Sequence, residues 1–260
     1  MNVLTLDAVS RRYRLGRQGL FGPPTFLAAV KQASLAVAAG ETLGIVGESG
    51  SGKSTLARLI MGFERPDSGQ VSVLGRDINT LPRADLMALR AQFQIVFQDP
   101  FSSLNPRRPI GWSVAEPLLA DRRLTATARR ERALKGLDQV GIRPADAEKY
   151  PHQFSGGQRQ RIAIARAIIT APRLLIADEP VSALDVSMQG QILNLLTDLQ
   201  AAMGLSLVFI SHDLALVDHL CDRVVVMQKG EIVEQGLTAD VLHAPRHDYT
   251  RSLVSHAFWA

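Results

Sequence analysis

The sequence has few of the features that mark secreted or membrane-spanning proteins. It contains one cysteine, Cys221, which excludes an intrachain disulfide and a cysteine-based metal cluster. No apolar stretch approaches the ~18 residues that a membrane-spanning helix needs. The first seven residues, MNVLTLD, are too short and too acidic for a signal peptide. Together these absences predict a cytoplasmic protein.

Composition and charge fit a soluble globular protein with one sizeable core, with room for an additional lobe. Of the 260 residues, 46% are hydrophobic and 21% are charged, with a formal net charge of +4. A basic excess can mark nucleic acid or an anionic membrane face. Here the basic residues are dispersed, with small clusters that include the Arg-Arg pairs at 107–108, 122–123 and 129–130. We interpret most of them as solvated and some as facing lipid headgroups or a membrane partner, and we expect no nucleic-acid partner.

A phosphate-binding loop is the strongest positive signal in the sequence. The motif G-x-x-x-x-G-K-[ST] is matched by Gly47, Glu48, Ser49, Gly50, Ser51, Gly52, Lys53, Ser54 and Thr55. A short buried strand is predicted before it, at 42–46, and a helix after it, at 55–61. We expect Lys53 to reach the β- and γ-phosphates of a nucleotide and Ser54 to hold Mg²⁺. A plain glycine- and serine-rich turn would explain neither the Lys-Ser pair nor the preceding strand.

A second motif places two carboxylates at the end of an apolar run. The run 174–177 is typical of a strand in a parallel sheet covered on both faces, and it ends in Asp178 and Glu179. Because ligands of such sheets bind at the carboxyl ends of the strands, we expect Asp178 to orient Mg²⁺, through water, and Glu179 to act as general base. Read alone, this pattern fits equally well a strand that ends in a solvated turn, but the phosphate-binding loop makes that alternative much weaker.

A third motif opens a helical stretch at 155–167. Ser155, Gly156, Gly157 and Gln158 offer a hydroxyl, bare backbone and a helix N-terminus, which together suit an anion. This motif resembles the signature motif of ABC ATPases, and further landmarks of that family follow the expected order over nearly the whole chain. They are Tyr13 (adenine stacking), Gln98 (Q-loop), Asp185 of the stretch SALD (D-loop) and His212 (switch histidine). Taken singly, Tyr13 is compatible with a half-buried strand residue and His212 with a structural one.

The resemblance implies an α/β fold. It consists of a P-loop NTPase (RecA-like) core with an N-terminal antiparallel β patch and an inserted α-helical subdomain. The core is expected at about 1–98 and 170–237, the helical subdomain at 99–169 and a short tail at 238–260. Strands are predicted to resume from residue 173, with a hairpin turn at 229–230 and a helical tail interrupted at Pro245.

The resemblance also implies a mechanism with two subunits. ATP and Mg²⁺ are the implied cofactors, with Ser54, Gln98 and Asp178 near the metal ion and Gln98, Glu179 and His212 as catalytic residues. Residues 155–158 would complete the ATP site of a second ATPase subunit, so that two ATP molecules are sandwiched between two chains. Hydrolysis would then open the dimer.

The loop at 98–107 suggests what the ATPase drives. Two prolines and small polar residues predict a stiff, non-helical surface segment, and an exposed Phe101 suits a groove for a partner's helix end. An ordinary connector is the alternative. In the resembled family this region receives the coupling helix of a permease. Four segments resemble ATPases of dipeptide, oligopeptide and nickel importers. They are this loop, the stretches 150–154 and 245–251, and the insertion 15–28, which is expected between Tyr13 and the next strand.

The resemblance therefore implies partners at the cytoplasmic face of the inner membrane. These are two transmembrane permease subunits, a second ATPase and, indirectly, a solute-binding protein. A heterodimer of ATPases is favoured over a homodimer. The alternatives are a non-transport ABC ATPase of DNA repair or the ribosome, and an exporter subunit.

Two further features bear on the metal and on the cargo. No cysteine-rich tail follows 245–251, so an iron–sulfur cluster is not expected, and the short tail resembles nickel-type or antimicrobial-peptide-uptake members. Pro245 disturbs the helical spacing of His243 and His247, so no metal site is expected there. The cargo itself is not specified.

Overall fold

The computed structural model describes residues 1–17 and 24–258, without the side chains of residues 17, 101, 102 and 258. The chain divides into two compact units, one of Met1–Leu81 and Val208–Ala260 and the other of Pro82–Leu207. The predicted division into a core and a helical subdomain at 99–169 stays a prediction.

Strands dominate the start of the described chain, and helices occupy the stretch between Val96 and Leu174. The strands are β1 Asn2–Arg17, β2 Pro24–Ala38, β3 Thr42–Val46, β4 Ser68–Val73, β5 Arg76–Asp77, β6 Phe93–Val96, β7 Leu174–Asp178, β8 Ser206–Ile210, β9 Arg223–Gln228 and β10 Glu231–Leu237. The helices are α1 Lys53–Ile60, α2 Arg83–Arg90, α3 Pro100–Ser103, α4 Ile110–Ala115, α5 Ala126–Gln139, α6 Gly156–Ile168, α7 Val186–Met203, α8 Leu214–Leu220, α9 Thr238–His243 and α10 Asp248–Phe258. Short 3-10 turns lie at Glu116–Ala120, Pro144–Asp146 and Pro151–Gln153.

An antiparallel sheet of order β2-β1-β4-β5 forms the N-terminal patch of the first unit, as predicted. Leu4 and Leu6 of β1 alternate into the core and lie opposite Val73 and Val71 of β4. The insertion 15–28 lengthens this sheet, since β1 runs to Arg17 and β2 starts at Pro24. The expectation that the insertion separates Tyr13 from the next strand is therefore wrong for the described residues. Ladder hydrogen bonds satisfy the backbone better than an irregular loop would. Residues 18–23 of the insertion lie outside the described part.

A parallel pair carries the phosphate-binding loop in the same unit. Strand β3 is buried at all five positions and lies parallel to β9, which pairs antiparallel with β10. The β9–β10 turn falls at Lys229 and Gly230, both with positive φ (48° and 86°), as a tight hairpin requires. The tail is helical in α9 and α10 with a break around Pro245. These features were predicted.

In the second unit, β6 lies parallel to β7, and helices α4, α5 and α6 pack against one another. The predicted helical content of 99–169 is present. The non-helical prediction for 98–107 is wrong at α3, where Pro100 takes the first helical position that suits proline and accepts a hydrogen bond from Ser103 Oγ at 2.9 Å. The predicted exposure of Phe101 falls on a side chain outside the described part. Among the described residues no helix combines the length and apolarity needed to cross a membrane.

Candidate functional site

The loop between β3 and α1, residues 47–52, has a backbone that only glycine allows at two positions. Gly47 and Gly52 have φ of 147° and 113°, and a Cβ on either would collide with a backbone oxygen, of Met227 and Ala29 respectively. Gly230 of the β9–β10 turn donates its N–H to the Ser51 carbonyl at 2.9 Å. Strand β2 on one side and strand β9 with its following turn on the other thus contact the loop closely. Such contacts fix the backbone N–H groups that an anion site of this kind uses.

Lys53 lies folded back onto this loop. Its ammonium donates to the Gly47 carbonyl at 2.7 Å and to the Glu48 carbonyl at 2.9 Å, and the residue is 5% exposed. These two hydrogen bonds hold the buried ammonium against the loop that is predicted to bind phosphate. Ser54 follows it in the first turn of α1 and is exposed.

His212 lies in the same unit, directly after β8. Ser211 donates its N–H to the Ile45 carbonyl of β3 at 3.2 Å, and the Asp213 carboxylate caps α8 by accepting from the N–H of Ala215 at 2.9 Å. His212 is exposed between these two anchors. Since β3 leads into the phosphate-binding loop, the residue before His212 is bonded to the strand that carries the loop. A catalytic role for His212 stays a prediction.

Tyr13 lies in the long part of β1 opposite Leu27 of β2. Its hydroxyl donates to Glu64 Oε2 at 2.6 Å, and the Arg11 guanidinium lies 5.1 Å from the ring centroid. The ring is half-buried. Leu27 is two residues from Ala29, whose carbonyl lies beside Gly52. The neighbouring strand therefore links Tyr13 to the loop, while its stacking on adenine stays a prediction.

In the second unit, Gln98 and Glu179 are in contact. The parallel register of β6 and β7 pairs Val96 with Ala177, so the residues two positions further on emerge at the same sheet edge. The Gln98 side-chain amide donates to Glu179 Oε2 at 3.1 Å. Asp178 ends β7 beside them, half-buried. An amide and two carboxylates at the carboxyl end of parallel strands form a polar centre whose oxygen atoms suit water and a divalent cation.

Glu179 has an unusual backbone conformation. Its φ is 48°, a region that costs a residue other than glycine about 1 kcal/mol or more. Its carbonyl accepts from Ser182 N–H at 3.4 Å and from Ser182 Oγ at 3.2 Å. This turn after β7 holds the strained residue in place and directs its carboxylate at Gln98.

The signature residues begin α6 with a capping box. Ser155 Oγ accepts from the N–H of Gln158 at 3.3 Å, and Gln158 Oε1 accepts from the N–H of Ser155 at 3.0 Å. Gly156 and Gly157 fill the first turn. Asp185 likewise caps α7 by accepting from Met188 N–H at 2.9 Å. Both motifs therefore have a local structural role besides the one that the resemblance implies.

The structure also identifies two positions that sequence reasoning missed. Tyr249 of α10 accepts a hydrogen bond at its hydroxyl from the N–H of Glu48, at 3.0 Å. Arg166 of α6 donates to the Ser103 carbonyl at 2.7 Å and to the Glu116 carboxylate at 2.8 Å, which ties the signature helix to the segment after Gln98. In the sequence, Tyr249 stands out only as part of the stretch 245–251, because no local pattern pairs residues that lie 201 positions apart.

The sequence of this chain is similar to a known protein family and to individual proteins of known name. Residues 30–182 match the family model described as "ABC transporter". The dipeptide transport ATP-binding protein DppF of Haemophilus influenzae is 46% identical over 98% of this chain and 78% of that protein. The oligopeptide transport ATP-binding protein OppF of Escherichia coli K12 is 50% identical over 92% of this chain and 72% of that protein.

Solved structures extend the likeness to the fold. The ATP-binding cassette MJ0796, solved as a dimer in a post-hydrolysis state with ADP and Pi, aligns with a TM-score of 0.79. It is 31% identical, over 90% of this chain and 98% of that chain. CbiO1 of Clostridium perfringens, part of the transporter complex cbiONQ, aligns with the same TM-score at 28% identity over 99% and 96% of the two chains.

The predicted α/β cassette fold is confirmed by these neighbours. The phosphate-binding loop and the signature helix occur together in this fold, and close relatives match almost the full chain. The chain therefore belongs to the ABC transporter family, as one of its ATP-binding subunits.

Proposed function

We propose that this chain is the ATP-hydrolysing subunit of a peptide importer and works from the cytoplasmic face of the inner membrane through separate permease subunits. The observation that carries the proposal is its 46–50% identity, over 92–98% of its length, to relatives named for dipeptide and oligopeptide transport. The nickel alternative has less support, because the relatives compared above are named for peptides. A non-transport ATPase and an exporter subunit are disfavoured for the same reason.

In this proposal Lys53 and the N–H groups of the loop bind the β- and γ-phosphates of ATP, and Tyr13 stacks on adenine. Mg²⁺ fits the chemistry of the available oxygen atoms, a serine hydroxyl at Ser54, an amide at Gln98 and a carboxylate at Asp178. These residues would hold the ion, which neutralises phosphate charge when bound. Glu179 accepts the proton of the attacking water, which Gln98 helps to orient. His212 contributes a polar contact to the γ-phosphate.

The signature residues 155–158 would act on the ATP of a second ATPase subunit. The α6 N-terminus presents the glycine backbone and the dipole that favour a phosphate. We propose a heterodimer with a second ATPase, two permease subunits and an extracytoplasmic solute-binding protein. The dimer closes around ATP and opens after hydrolysis, which is how the chemistry drives transport.

The role of Glu179 is tested by Glu179→Gln, which keeps the shape of the side chain and removes its basicity. ATP binding should remain while turnover falls by roughly 10²–10⁴-fold. The measurement is steady-state phosphate release beside equilibrium binding of ATP. Near-normal turnover in this variant would remove Glu179 from the base role.

The transport role is tested by purifying tagged Glu179→Gln from native membranes with ATP and identifying the bound proteins by mass spectrometry. We expect two permeases and a second ATPase, and a solute-binding protein that then binds peptides in a direct assay. Glu179→Gln without ATP and Lys53→Ala with ATP are matched controls; both should still recover the permeases, because ATP closes the ATPase dimer and does not make the contact with the permeases. Recovery of ribosomes or DNA-repair proteins without any permease would refute the transport proposal.

A further inference from the structure

One peptide group of the phosphate-binding loop is hydrogen-bonded at both ends. The carbonyl of Gly47 accepts from the Lys53 ammonium at 2.7 Å. The N–H of the same peptide group, which belongs to Glu48, donates to the hydroxyl oxygen of Tyr249 at 3.0 Å. A single peptide therefore lies between the lysine that would contact phosphate and a tyrosine of the C-terminal helix.

Several hydrogen bonds hold the backbone at the start of α10, the helix that carries Tyr249. The Glu234 carboxylate of β10 accepts from the N–H groups of Arg246, at 2.8 Å, and His247, at 3.1 Å, just before α10. Thr250, next to Tyr249, is fully buried. The N–H of Tyr249 donates to Nδ1 of His247 at 3.1 Å. These contacts fasten the start of α10 to β10, so the tyrosine is a fixed partner of the loop.

The tyrosine stays protonated at neutral pH, because burial raises the pKa of the Tyr249 phenol. The group that accepts the hydrogen bond from Glu48 N–H is therefore a neutral hydroxyl. A neutral oxygen acceptor suits a peptide N–H whose carbonyl already faces an ammonium. Because hydrogen bonds in a row polarise one another, the Lys53 ammonium strengthens the N–H that Tyr249 accepts.

The Gly47–Glu48 peptide needs such a fixed partner. Gly47 has a φ of 147°, and glycine places little restriction on rotation of the peptide that follows it. A rotated peptide would turn its carbonyl away from Lys53. The Tyr249 hydroxyl favours the orientation in which the carbonyl faces the ammonium.

We propose that Tyr249 is a positioning residue for ATP binding, which locks the Gly47–Glu48 peptide and thereby places the Lys53 ammonium for the phosphates. Through this contact the C-terminal helix α10 becomes part of the nucleotide site. The inference rests on the proposed role of Lys53 in phosphate binding.

The test is Tyr249→Phe, which retains the ring and removes the hydroxyl. The matched control is Ser255→Ala, which alters an exposed hydroxyl on the same helix. We expect the Kd for ATP to rise about threefold to tenfold in Tyr249→Phe, the effect of one net hydrogen bond, and to stay within twofold in Ser255→Ala. Isothermal titration with MgATP gives the binding constants.

Hydrogen exchange separates positioning from simple loss of the helix. In Tyr249→Phe the peptide fragment that contains Glu48 should exchange faster while the fragments from α10 keep wild-type protection. An unchanged Kd would overturn the inference, as would a weaker Kd accompanied by loss of protection throughout α10. Failure of the wild-type protein and Ser255→Ala to bind ATP at all would instead refute the proposed ATP site, and the inference with it.

Discussion

At the scale of single residues, two glycines of this chain differ in what an added methyl group would contact. A Cβ on Gly44 of β3 would lie 2.7 Å from Val217 Cγ1 and 3.1 Å from the Sγ of Cys221 in the packed core. A Cβ on Gly157 would meet only the side chain of Met188, whose flexible end can move away. Gly44 is therefore needed for packing, whereas the packing around Gly157 tolerates a methyl group.

This difference predicts opposite results for two alanine substitutions. Gly44→Ala should destabilise the fold by about 1–3 kcal/mol through overpacking. Gly157→Ala should unfold at nearly the wild-type denaturant concentration, yet lower ATP turnover at least tenfold in the complex with its partners, because the proposed role of its bare backbone is to bind the partner's phosphate. Urea unfolding and phosphate release measure the two effects. Normal turnover of Gly157→Ala would contradict the role of the signature glycine.

The chemical identity of the site residues was predictable at this scale, since lysine, carboxylates and a glycine-rich loop are what phosphate and Mg²⁺ require. Their exact conformations were not. The contact between Gln98 and Glu179 depends on the register of β6 and β7, and the positive φ of Glu179 depends on the turn closed by Ser182. Neither of these appears in local sequence patterns.

At the scale of elements, the Glu234 carboxylate of β10 contributes to the attachment of α10. Burial by itself would raise the pKa of Glu234, but hydrogen bonds from Thr250, Arg246 and His247 lower it below the ordinary carboxyl value. A lowered pKa means that the carboxylate stabilises the folded tail fully above its unfolded pKa of ~4.3. This contribution is lost as the pH falls through the lower pKa of the folded protein.

Acidification below about pH 4.3 should therefore release α10 before the rest of the first unit unfolds. The measurement is hydrogen exchange of residues 246–258, corrected for the intrinsic pH dependence of exchange. Glu234→Gln is the control, because it should reduce protection already at pH 7 and remove most of the change on acidification. The same acid-dependent release in both proteins would show that Glu234 is not the titrating group.

Most elements followed from local pattern, and the exceptions have physical causes. The buried run of β3, the turn at Lys229 and Gly230 and the break at Pro245 carry strong signals. Helix α3 was missed because two prolines in 98–107 favour a loop, although a proline at the first helical position is compatible with a helix. The continuation of β1 to Arg17 and the start of β2 at Pro24 were missed, because the pairing partner of a strand lies elsewhere in the sequence.

At the scale of the whole molecule, the proposed heterodimer predicts the mass of the purified protein in solution. We expect purified Glu179→Gln to stay near 28.3 kDa with ATP when alone, because a heterodimer is proposed. It should double in mass only when the second ATPase of the pull-down is added. Light scattering on a size-exclusion column measures this. An ATP-dependent dimer of the single purified chain would favour a homodimer.

The sequence by itself determined the family, the α/β class and the residue types that bind phosphate, because these depend on short motifs in order along the chain. Only the tertiary structure decided how those residues are supported. The hydroxyl of Tyr249 reaches Glu48 across 201 positions, and Arg166 reaches Ser103 across 63. Such contacts arise when strands and helices pack, and a hydrogen bond between distant residues has no local sequence pattern that would reveal it.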